Sequence, residues 1–367
     1  MDLEKTLSLL NQQIAYARGH SPFYARLPEH PLTDLRQLSA LPMVTAADLS
    51  LHGEEMLCCS PAKVRRMVTL TTSGTAGPYK RLAFTEADLE HTMDFFHHGM
   101  NALCGPGSAV GIFMPGTHAD GLCQLLSEGL RRFGAIPHIY GPVSDPEDAA
   151  RFCREFRIQV MVGIPAQLRR LSLAAPDLRP ELVLLSADYT AESLMETIAR
   201  QWNCRVYVHY GSTESGLGCA VETPRRAGME LRPDVLLETL PDGELVLTTL
   251  CREAMPLIRY RTGDLGKLRP DGALEVVFGR KTELEKPVPI YRLDELLFGL
   301  DEVLDFAAWF GDGVLRLEIL GDAARAKQRL YGAFPAYEIQ IVTVSALERN
   351  STAKRGTGRF TPPHTPL

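Results

Sequence analysis

The chain lacks the sequence features of several classes of protein. No apolar run approaches the roughly 18 residues that a membrane span needs, and the start, Met-Asp-Leu-Glu-Lys, lacks the charged-then-apolar pattern of a secretory signal. No run of Lys and Arg exceeds a pair, and the formal net charge is −6 at pH 7. These features argue against nucleic-acid or anionic-membrane binding. We therefore expect a cytoplasmic protein with neither kind of partner.

The eight cysteines also lack the paired C-x-x-C spacing of zinc sites and redox motifs. They are scattered through the chain, so we expect reduced, mostly buried thiols rather than a disulfide framework. With 367 residues, of which 45% are hydrophobic and 23% charged, the chain has an ordinary globular composition and is long enough for two or three domains.

Between about residues 84 and 250, short apolar runs alternate with helix-like stretches. The predicted strands are Ala109–Met114, Ile136–Tyr140, Gln159–Gly163, Leu182–Ser186 and Arg205–Tyr210. The predicted helices are Glu86–Leu103, Ala119–Phe133, Asp145–Phe156 and Ala191–Trp202. This alternation indicates an α/β fold with a doubly wound, mostly parallel sheet. Ligands bind such sheets beside the loops that follow the strands.

After this region the alternation of strands and helices ends. Asp-Gly turns separate strand-like runs and predict a β-rich subdomain at about 228–279, which closes a large N-terminal domain, residues 1–279. Residues 280–286 form a charged connector. Residues 287–367 read as strand, strand, helix, strand, followed by a polar, Pro-rich and mobile tail. We expect a small α+β C-terminal domain there.

Residues 71–80, Thr-Thr-Ser-Gly-Thr-Ala-Gly-Pro-Tyr-Lys, combine glycines, hydroxyl residues and a final lysine. Glycines allow the backbone to approach a ligand closely, and exposed amides, hydroxyls and a lysine attract a polyphosphate. The Gly-Lys-Ser/Thr ending of the Walker loop is absent. Taken alone, such a stretch is more often a plain surface turn, so the rest of the chain must decide.

Four further segments carry compatible chemistry. Residues 210–214, Tyr-Gly-Ser-Thr-Glu, follow a predicted strand and offer an aromatic ring, hydroxyls and a carboxylate of the kind Mg²⁺ uses together with phosphate oxygens. Residues 260–264, Tyr-Arg-Thr-Gly-Asp, place an aspartate to accept from ribose hydroxyls, and Gly279-Arg280 and Lys354 add positive charge. Each alone has an ordinary alternative: a helix N-cap, a turn, a solvated lysine. Their joint order is what predicts a nucleotide site.

In this order the segments resemble the signature of the adenylate-forming superfamily, which includes acyl- and aryl-CoA ligases and luciferases. Residues 72–80 match its phosphate loop, Thr-Ser-Gly-Thr-Thr-Gly-x-Pro-Lys, except at Ala76 and Tyr79. Residues 210–214 and 260–264 match its next two motifs completely. Residues 21–24, Ser-Pro-Phe-Tyr, resemble the phenylacetate–CoA ligase branch.

The resemblance implies a two-step reaction. A carboxylate attacks the α-phosphorus of MgATP to give acyl-AMP and pyrophosphate, and a thiol such as CoA then displaces AMP. The implied catalytic residues are Lys354, Glu214 and Thr213, and Glu214 is also the implied metal ligand. The implied ATP-binding residues are Thr72, Ser73, Gly74, Thr75, Gly77, Lys80, Asp188, Tyr210, Gly211, Ser212, Asp264 and Arg280.

The sequence gives weaker signals for the acyl pocket than for the nucleotide site. Its candidates follow predicted strands and are His118, Gly163, Ile164, Pro165, Ala187 and Tyr189. His118 is equally compatible with a structural role. Residues 186–189, Ser-Ala-Asp-Tyr, fall where the family has a Gly-Gly/Ala-Glu-Pro turn at the adenine edge, which implies that Asp188 contacts the adenine amino group.

The C-terminal part departs from the family. After Lys286 the usual glycine-bearing loop is replaced by a segment with two prolines, and the module is short. A similarly reduced relative is associated with phenazine antibiotic biosynthesis, which implies a flat aromatic acid. Three outcomes stay open: a thioester with CoA, transfer to an amine or a carrier protein, and a non-catalytic nucleotide-binding protein. A homodimer also stays open.

Overall fold

The computed structural model describes residues 3–71, 79–284, 287–311 and 313–347. Its helices are α1 (Leu3–His20), α2 (Ala46–Leu51), α3 (Glu86–Asn101), α4 (Leu122–Arg131), α5 (Pro146–Glu155), α6 (Pro165–Ala174), α7 (Glu192–Trp202), α8 (Lys281–Leu284), α9 (Ile290–Leu297) and α10 (Ala324–Ala333). Over the described ranges, no helix has both the length and the apolar character to cross a membrane.

The strands of the same residues follow in chain order. They are β1 (Val64–Thr71), β2 (Tyr79–Thr85), β3 (Ala109–Phe113), β4 (Ile136–Ile139), β5 (Val160–Gly163), β6 (Leu182–Leu185), β7 (Arg205–Tyr210), β8 (Ala220–Thr223), β9 (Arg226–Leu231), β10 (Val235–Thr239), β11 (Glu244–Thr249), β12 (Tyr260–Leu268), β13 (Leu274–Arg280), β14 (Val303–Gly311), β15 (Val314–Gly321) and β16 (Glu338–Val344).

Local sequence explains where several helices begin. Thr85 and Asp88 form a capping box at the start of α3, in which each side chain accepts from the backbone N–H of the other residue. Asp145 caps α5 by accepting from two backbone N–H groups. Prolines occupy the first position of α5 and α6, where no backbone N–H is needed.

The chain divides into two compact units. The first comprises the described residues of 1–103, 118–133 and 209–277. The second comprises 104–117, 134–208 and the described residues from 278 onward. The boundary falls within β7, whose last two residues belong to the first unit.

The first unit is rich in antiparallel pairs. β10, β11, β12, β13, β9 and β8 are neighbours in that order, and β8 pairs with His209 and Tyr210 at the end of β7. β1 and β2 form a separate antiparallel hairpin in which Thr71 faces Tyr79 and Leu70 faces Lys80. Three motif-bearing segments therefore lie in this one unit: 79–80, 210–214 and 260–264.

The second unit contains a parallel sheet in the order β7, β6, β5, β3, β4. The chain passes from β3 outward to β4, returns to β5 on the other side of β3, and continues to β6 and β7. The direction of winding therefore reverses between β3 and β5. Ligands of open α/β sheets bind at such a switch point, outside the carboxyl ends of the strands.

The C-terminal elements belong to the same unit and share its hydrophobic core. β14 pairs antiparallel with β15, and β15 pairs parallel with β16. One buried cluster contains Trp202 of α7 together with Leu297, Phe306 and Leu330 of the C-terminal elements. A core common to both segments favours a fixed association, because separating them would expose this apolar surface.

Arg169 of α6 fixes this packing further. Its side chain is fully buried and donates to the carbonyls of Val303 (2.6 Å) and Leu300 (2.7 Å). Its guanidinium lies 5.1 Å from the ring centroid of Phe298. Burial lowers the pKa of Arg169 to about 10. The arginine thus serves as a polar link between α6 and the segment that leads into β14.

The predicted α/β class is confirmed, and so are the predicted strands and helices of the alternating region, to within a few residues at their ends. The elements that were missed include α6 and the two strands of the β1–β2 hairpin. α6 was not among the predicted helices, although Pro165 is a typical first helical residue. The β1–β2 hairpin was missed because its connection, residues 72–78, is longer than the usual two to five residues or so of hairpin loops. The domain boundaries at 279 and 287 stay predictions.

Candidate active site

Of the ATP-binding residues predicted in the phosphate loop, Lys80 lies within the described residues. Thr72, Ser73, Gly74, Thr75 and Gly77 lie outside the described residues, as does Lys354. The strands that flank the loop pair directly at Thr71 and Tyr79, and Lys80 follows in β2. The exposure of β2 alternates at its start, so that the side chain of Lys80 is buried while those of its two neighbours are exposed.

Lys80, Glu214 and Tyr260 form a buried polar cluster. The ammonium group of Lys80 forms an ion pair with Oε1 of Glu214 and lies 3.4 Å from the hydroxyl of Tyr260. That hydroxyl donates to Glu214 Oε1 at 3.1 Å. Lys80 is 7% exposed and Glu214 is 3% exposed. A buried carboxylate needs such compensation, because an unpaired charge in the interior costs several kcal/mol.

A second polar contact lies between Tyr210 and Asp264. The Tyr210 hydroxyl donates to Oδ2 of Asp264 at 2.8 Å, and the backbone N–H of Asp264 donates to Oγ1 of Thr262 at 3.0 Å. Tyr260, Thr262 and Asp264 are all buried, at alternate positions of β12, so one strand face presents both Tyr260 and Asp264. Because alternate residues of a strand share a face, the motif at 260–264 contributes Tyr260 to the contact with Glu214 and Asp264 to the contact with Tyr210.

The turn after β7 requires glycine at two points. A Cβ at Gly211 would lie 2.2 Å from the carbonyl oxygen of Leu217, a distance that real side chains do not adopt. Gly216 has φ +75°, and Leu217 also has a positive φ, of 71°. Strain at a non-glycine residue persists only where the surrounding structure enforces it. The turn that carries Ser212, Thr213 and Glu214 is therefore tightly constrained.

His209 precedes this turn and is buried against two aromatic rings. Its ring centroid lies 5.8 Å from that of Phe95 and 6.3 Å from that of Phe96. Burial lowers its pKa to about 4. The imidazole is therefore neutral near pH 7, and its protonation would place a charge among aromatic side chains.

The turn at 186–189 belongs to the second unit. Ala187 has φ 77°, which is unusual for a residue with a Cβ, and the family pattern has glycine or alanine there. The side chain of Asp188 accepts from the backbone N–H of Tyr189 at 2.9 Å. The Tyr189 hydroxyl donates to Oε1 of Glu295 in α9 at 2.7 Å. Burial, followed by this hydrogen bond, raises the pKa of Tyr189 above its ordinary value.

The other pocket candidates divide between the two units. Gly163, Ile164 and Pro165 lie at the end of β5 and the start of α6, next to the switch point of the parallel sheet. A Cβ at Gly163 would lie 2.9 Å from the side chain of Leu168, so the position is closely packed. His118 is exposed and belongs to the first unit, and Arg280 is exposed at the end of β13 in the second.

Comparisons with known proteins agree with the pattern of motifs. No protein-family model matches the chain. The phenylacetate–coenzyme A ligase of Thermus thermophilus is 27% identical over 288 residues, 70% of this chain and 63% of the relative. That of Pseudomonas putida is 27% identical over 304 residues, 73% of this chain and 66% of the relative. These similarities support the adenylate-forming superfamily, and its phenylacetate–CoA ligase-like branch, for this chain. The chain spans just under two thirds of the length of these two relatives.

Members of the adenylate-forming superfamily also share the fold. A crystal structure of 2-hydroxyisobutyryl-CoA ligase with its acyl adenylate has a TM-score of 0.78 at 17% identity, covering 96% of this chain and 88% of that one. The anthranilate CoA ligase AuaEII with anthranoyl-AMP has a TM-score of 0.59 at 14% identity, covering 78% and 65%. A fumarate–(S)-2,3-diaminopropanoate ligase of Enterobacter agglomerans is 24% identical over 265 residues, 66% of this chain and 65% of the relative.

Sequence reasoning missed several polar side chains around the site. Tyr260 was placed in a motif, but its contact with Glu214 was not predicted. Thr92, Arg232 and Arg252 are buried around the turn after β7 and belong to no recognised motif. The only signal for them in the sequence is a charged or polar residue within an otherwise apolar segment, and many surface residues share that signal.

Proposed function

We propose that this chain is a ligase that activates a carboxylic acid with MgATP to an acyl adenylate and then transfers the acyl group to the thiol of CoA. One observation carries the proposal: a single compact unit brings together Lys80, Glu214 and Tyr260, with Tyr210 bonded to Asp264 on the same strand face. This is the donor and acceptor set that a magnesium-bound nucleotide requires.

Glu214 fits a magnesium ion held mainly by phosphate oxygens. Mg²⁺ in nucleotide sites takes one or two carboxylates and otherwise phosphate and water oxygens, so one buried carboxylate is a suitable protein ligand. The neighbouring lysine suits the phosphate oxygens. When bound, the ion would neutralise charge on the phosphates. Lys80 would then exchange its contact with Glu214 for the β- and γ-phosphate oxygens. Charge-neutral exchange of this kind avoids leaving either buried group unpaired.

The nucleoside would lie against Tyr210 and Asp264. The ring of Tyr210 offers a flat surface to adenine, and the carboxylate of Asp264 would accept hydrogen bonds from both ribose hydroxyls. Asp188 and Arg280, which the family resemblance also implies for ATP binding, belong to the second unit and stay candidates. Gly211 and Ser212 would leave room for the backbone to approach the nucleotide closely.

Adenylation forms one bond and breaks one. An oxygen of the substrate carboxylate attacks the α-phosphorus, and the bond to the bridging oxygen of pyrophosphate breaks. Thr213 would contact the α-phosphate, and Lys354 would neutralise the charge that grows on the bridging oxygen. Such stabilisation is often the largest catalytic contribution, worth about 3 kcal/mol for a single donor. In the second step the sulfur of CoA attacks the acyl carbon and AMP leaves.

The acid would be aromatic. This inference follows the phenylacetate–coenzyme A ligases among the relatives. A flat acid would enter beside the switch point of the parallel sheet, where Gly163, Ile164 and Pro165 meet the loop after β3. Ala187 would leave space beside the ring, and Tyr189 would form part of the wall. His118 stays a candidate contact of the acyl group.

ATP–pyrophosphate exchange with a panel of aryl, phenazine-type and short aliphatic acids tests the proposal. We expect exchange with at least one aromatic acid and little with aliphatic acids. Magnesium-dependent ATP binding without exchange for any acid would contradict the ligase function and favour a nucleotide-binding relative. Exchange only with aliphatic acids would contradict the substrate class alone.

A second acceptor is supported by one relative. The name of the Enterobacter agglomerans protein joins fumarate to a diamino acid, so its acceptor carries amino groups. Adding CoA or an amine to the preformed adenylate, and measuring AMP release, separates the two. Faster release with the amine than with CoA would replace the thioester in the proposal by an amide.

A further inference from the structure

Three consecutive carbonyl groups in the turn after β7 accept hydrogen bonds from buried side chains. The carbonyl of Glu214 accepts from Arg252 Nη2 at 3.3 Å, that of Ser215 from Arg232 Nη1 at 3.1 Å, and that of Gly216 from Thr92 Oγ1 at 2.9 Å. Turns usually lie at the surface, where water can bind their carbonyl groups. Three successive turn carbonyls that bind buried side chains instead are therefore uncommon.

Arg232 is itself fixed in place. Its guanidinium binds both carboxylate oxygens of Asp234, one of them at 2.6 Å, and its Nη1 also lies 3.3 Å from the carbonyl of Gly218. Although burial raises the pKa of Asp234, the hydrogen bonds and charge of Arg232 hold it below its ordinary value. The pair is therefore ionised, and its planar geometry leaves Arg232 little freedom to move away from the turn.

Arg252 is held from two sides. Its guanidinium lies 4.8 Å from the ring centroid of Phe84, and its Nε is 4.0 Å from Oδ1 of Asp88. Its backbone exchanges two hydrogen bonds with the side chain of Gln13, at 2.7 and 3.0 Å. Its Nη1, which is buried, has no hydrogen-bond partner among the described residues. A buried N–H without a partner is costly, so packing alone gives no reason for an arginine here.

The three donors converge on Gly216. A Cβ built on this glycine would lie 3.1 Å from Arg252 Nη2 and 3.2 Å from both Arg232 Nη1 and Thr92 Oγ1. Glu214 is therefore fixed at both ends: Arg252 holds its carbonyl, while Lys80 and Tyr260 contact its carboxylate. The donors act on the backbone of the residue whose side chain is the magnesium candidate.

We propose that Thr92, Arg232 and Arg252 are positioning residues that hold the Glu214 carboxylate in the geometry required to bind magnesium with ATP. The inference rests on the proposed function, since it assigns a purpose to the same site. Residues that orient a metal ligand typically change metal affinity about 10- to 100-fold when they are replaced.

The test measures ATP binding and ATP–pyrophosphate exchange as functions of magnesium concentration. We expect Arg252→Met to raise the half-saturating magnesium concentration about tenfold, and Thr92→Val, which removes only a hydroxyl donor, about threefold. Arg252→Lys retains a cationic donor and should recover part of the loss. ATP binding in the presence of EDTA should change less than about twofold in all three, because the effect passes through the metal ligand.

Arg169→Met is the matched control. Arg169 is a buried arginine that also donates to backbone carbonyls, but it contacts the segment before β14 rather than the site. Its replacement should lower thermal stability and leave the half-saturating magnesium concentration unchanged. Hydrogen exchange adds a direct readout, since the amides of Gly216 and Leu217 bond within the turn and should exchange faster in Arg252→Met.

The outcomes separate the two proposals. Wild-type magnesium dependence in Thr92→Val and Arg252→Met would overturn the positioning role, even if hydrogen exchange became faster. If Arg252→Met does not fold, Thr92→Val decides alone. If neither ATP binding nor exchange in the wild type depends on magnesium, both proposals are overturned. Magnesium-dependent binding without exchange would overturn only the ligase function, and binding would then decide the positioning role.

Discussion

Two turns that follow successive strands differ in how their backbones are held. The turn after β7 uses glycine at its tight positions and receives donors from three buried side chains. The turn after β6 places Ala187 at φ 77°, and its tyrosine is bonded to α9. The first turn matches the family motif completely and the second departs from it. The family pattern is therefore retained in the turn that receives three buried donors, and it has changed in the turn after β6.

The largest expected effect comes from removing the cation of the first region. Lys80→Met should reduce ATP–pyrophosphate exchange at least about 100-fold, because charge stabilisation in a buried site is lost. Lys267→Met is the control, since Lys267 lies in β12 with an exposed side chain paired to Glu275. Exchange in Lys80→Met within about threefold of the wild type would remove the lysine from the site.

The variant also removes the cation that neutralises the buried Glu214 carboxylate, which should cost about 3 kcal/mol of stability. The double variant Lys80→Met with Glu214→Gln restores neutrality. It should therefore regain much of the stability and none of the activity, which separates folding from chemistry. Urea denaturation measures the first and exchange the second.

Gly216→Ala tests the constraint on the turn after β7. We expect a loss of about 2 kcal/mol in the free energy of unfolding, because a Cβ at positive φ is strained and would crowd three donors. Gly243→Ala is the matched control, with φ +85° and no atom within 4 Å of the added Cβ. Its cost should be near 1 kcal/mol, from φ alone. Equal losses in the two variants would show that the donors do not crowd the turn.

The buried histidine makes the same region sensitive to acid. Folding lowers the pKa of His209 from 6.5 to about 4, so below about pH 6.5 the unfolded chain binds a proton that the folded chain does not. Stability is therefore complete above about pH 6.5 and is lost as the pH falls toward 4, by about 2 kcal/mol at pH 5. His209→Gln should lose less stability than the wild type over this range. Identical pH profiles of unfolding would contradict the assignment.

Asp264→Asn should weaken ATP binding about tenfold, since a charged acceptor becomes neutral. The variant should also discriminate less than the wild type between ATP and 2′-deoxy-ATP, because the ribose contact has changed. Tyr210→Phe is the companion, as it removes the 2.8 Å hydrogen bond to Asp264 and keeps the ring. Unaltered discrimination in Asp264→Asn would place the ribose elsewhere.

The smallest effect belongs to the second turn. Ala187→Gly should raise the free energy of unfolding by roughly 0.5–1 kcal/mol, because relief of the strained φ exceeds the added entropy of the unfolded chain. Together with Gly216→Ala, it forms a reciprocal pair across the two turns. A lower stability in Ala187→Gly would show that the Cβ packs usefully there, and would weaken the contrast.

The sequence predicted much of the fold, and it supplied the candidate site residues that lie in contiguous motifs. Strands and helices of the alternating region follow from period and length, and Lys80, Tyr210, Glu214 and Asp264 stand at fixed positions in short patterns. Local order does not encode which distant residues meet. The donation from Tyr260 to Glu214 spans 46 residues. That from Tyr189 to Glu295 spans 106.

The same limit explains the missed arginines. Arg252 and Glu214 are 38 residues apart and Arg252 and Gln13 are 239 apart, so no window of sequence contains the arrangement. α6 was missed for a different reason. Residues 163–165 were interpreted by their ligand chemistry alone, although Pro165 and the buried Leu168 and Leu171 favour a helix.

The pairing of β1 with β2 fixes which side chains of β2 are buried. Lys80, which pairs with Leu70, is buried, whereas Tyr79 beside it is 63% exposed. A shift of this pairing by one residue would turn every side chain of β2 to the opposite face. The burial of Lys80, and with it the ion pair with Glu214, therefore depends on the alignment of the two strands.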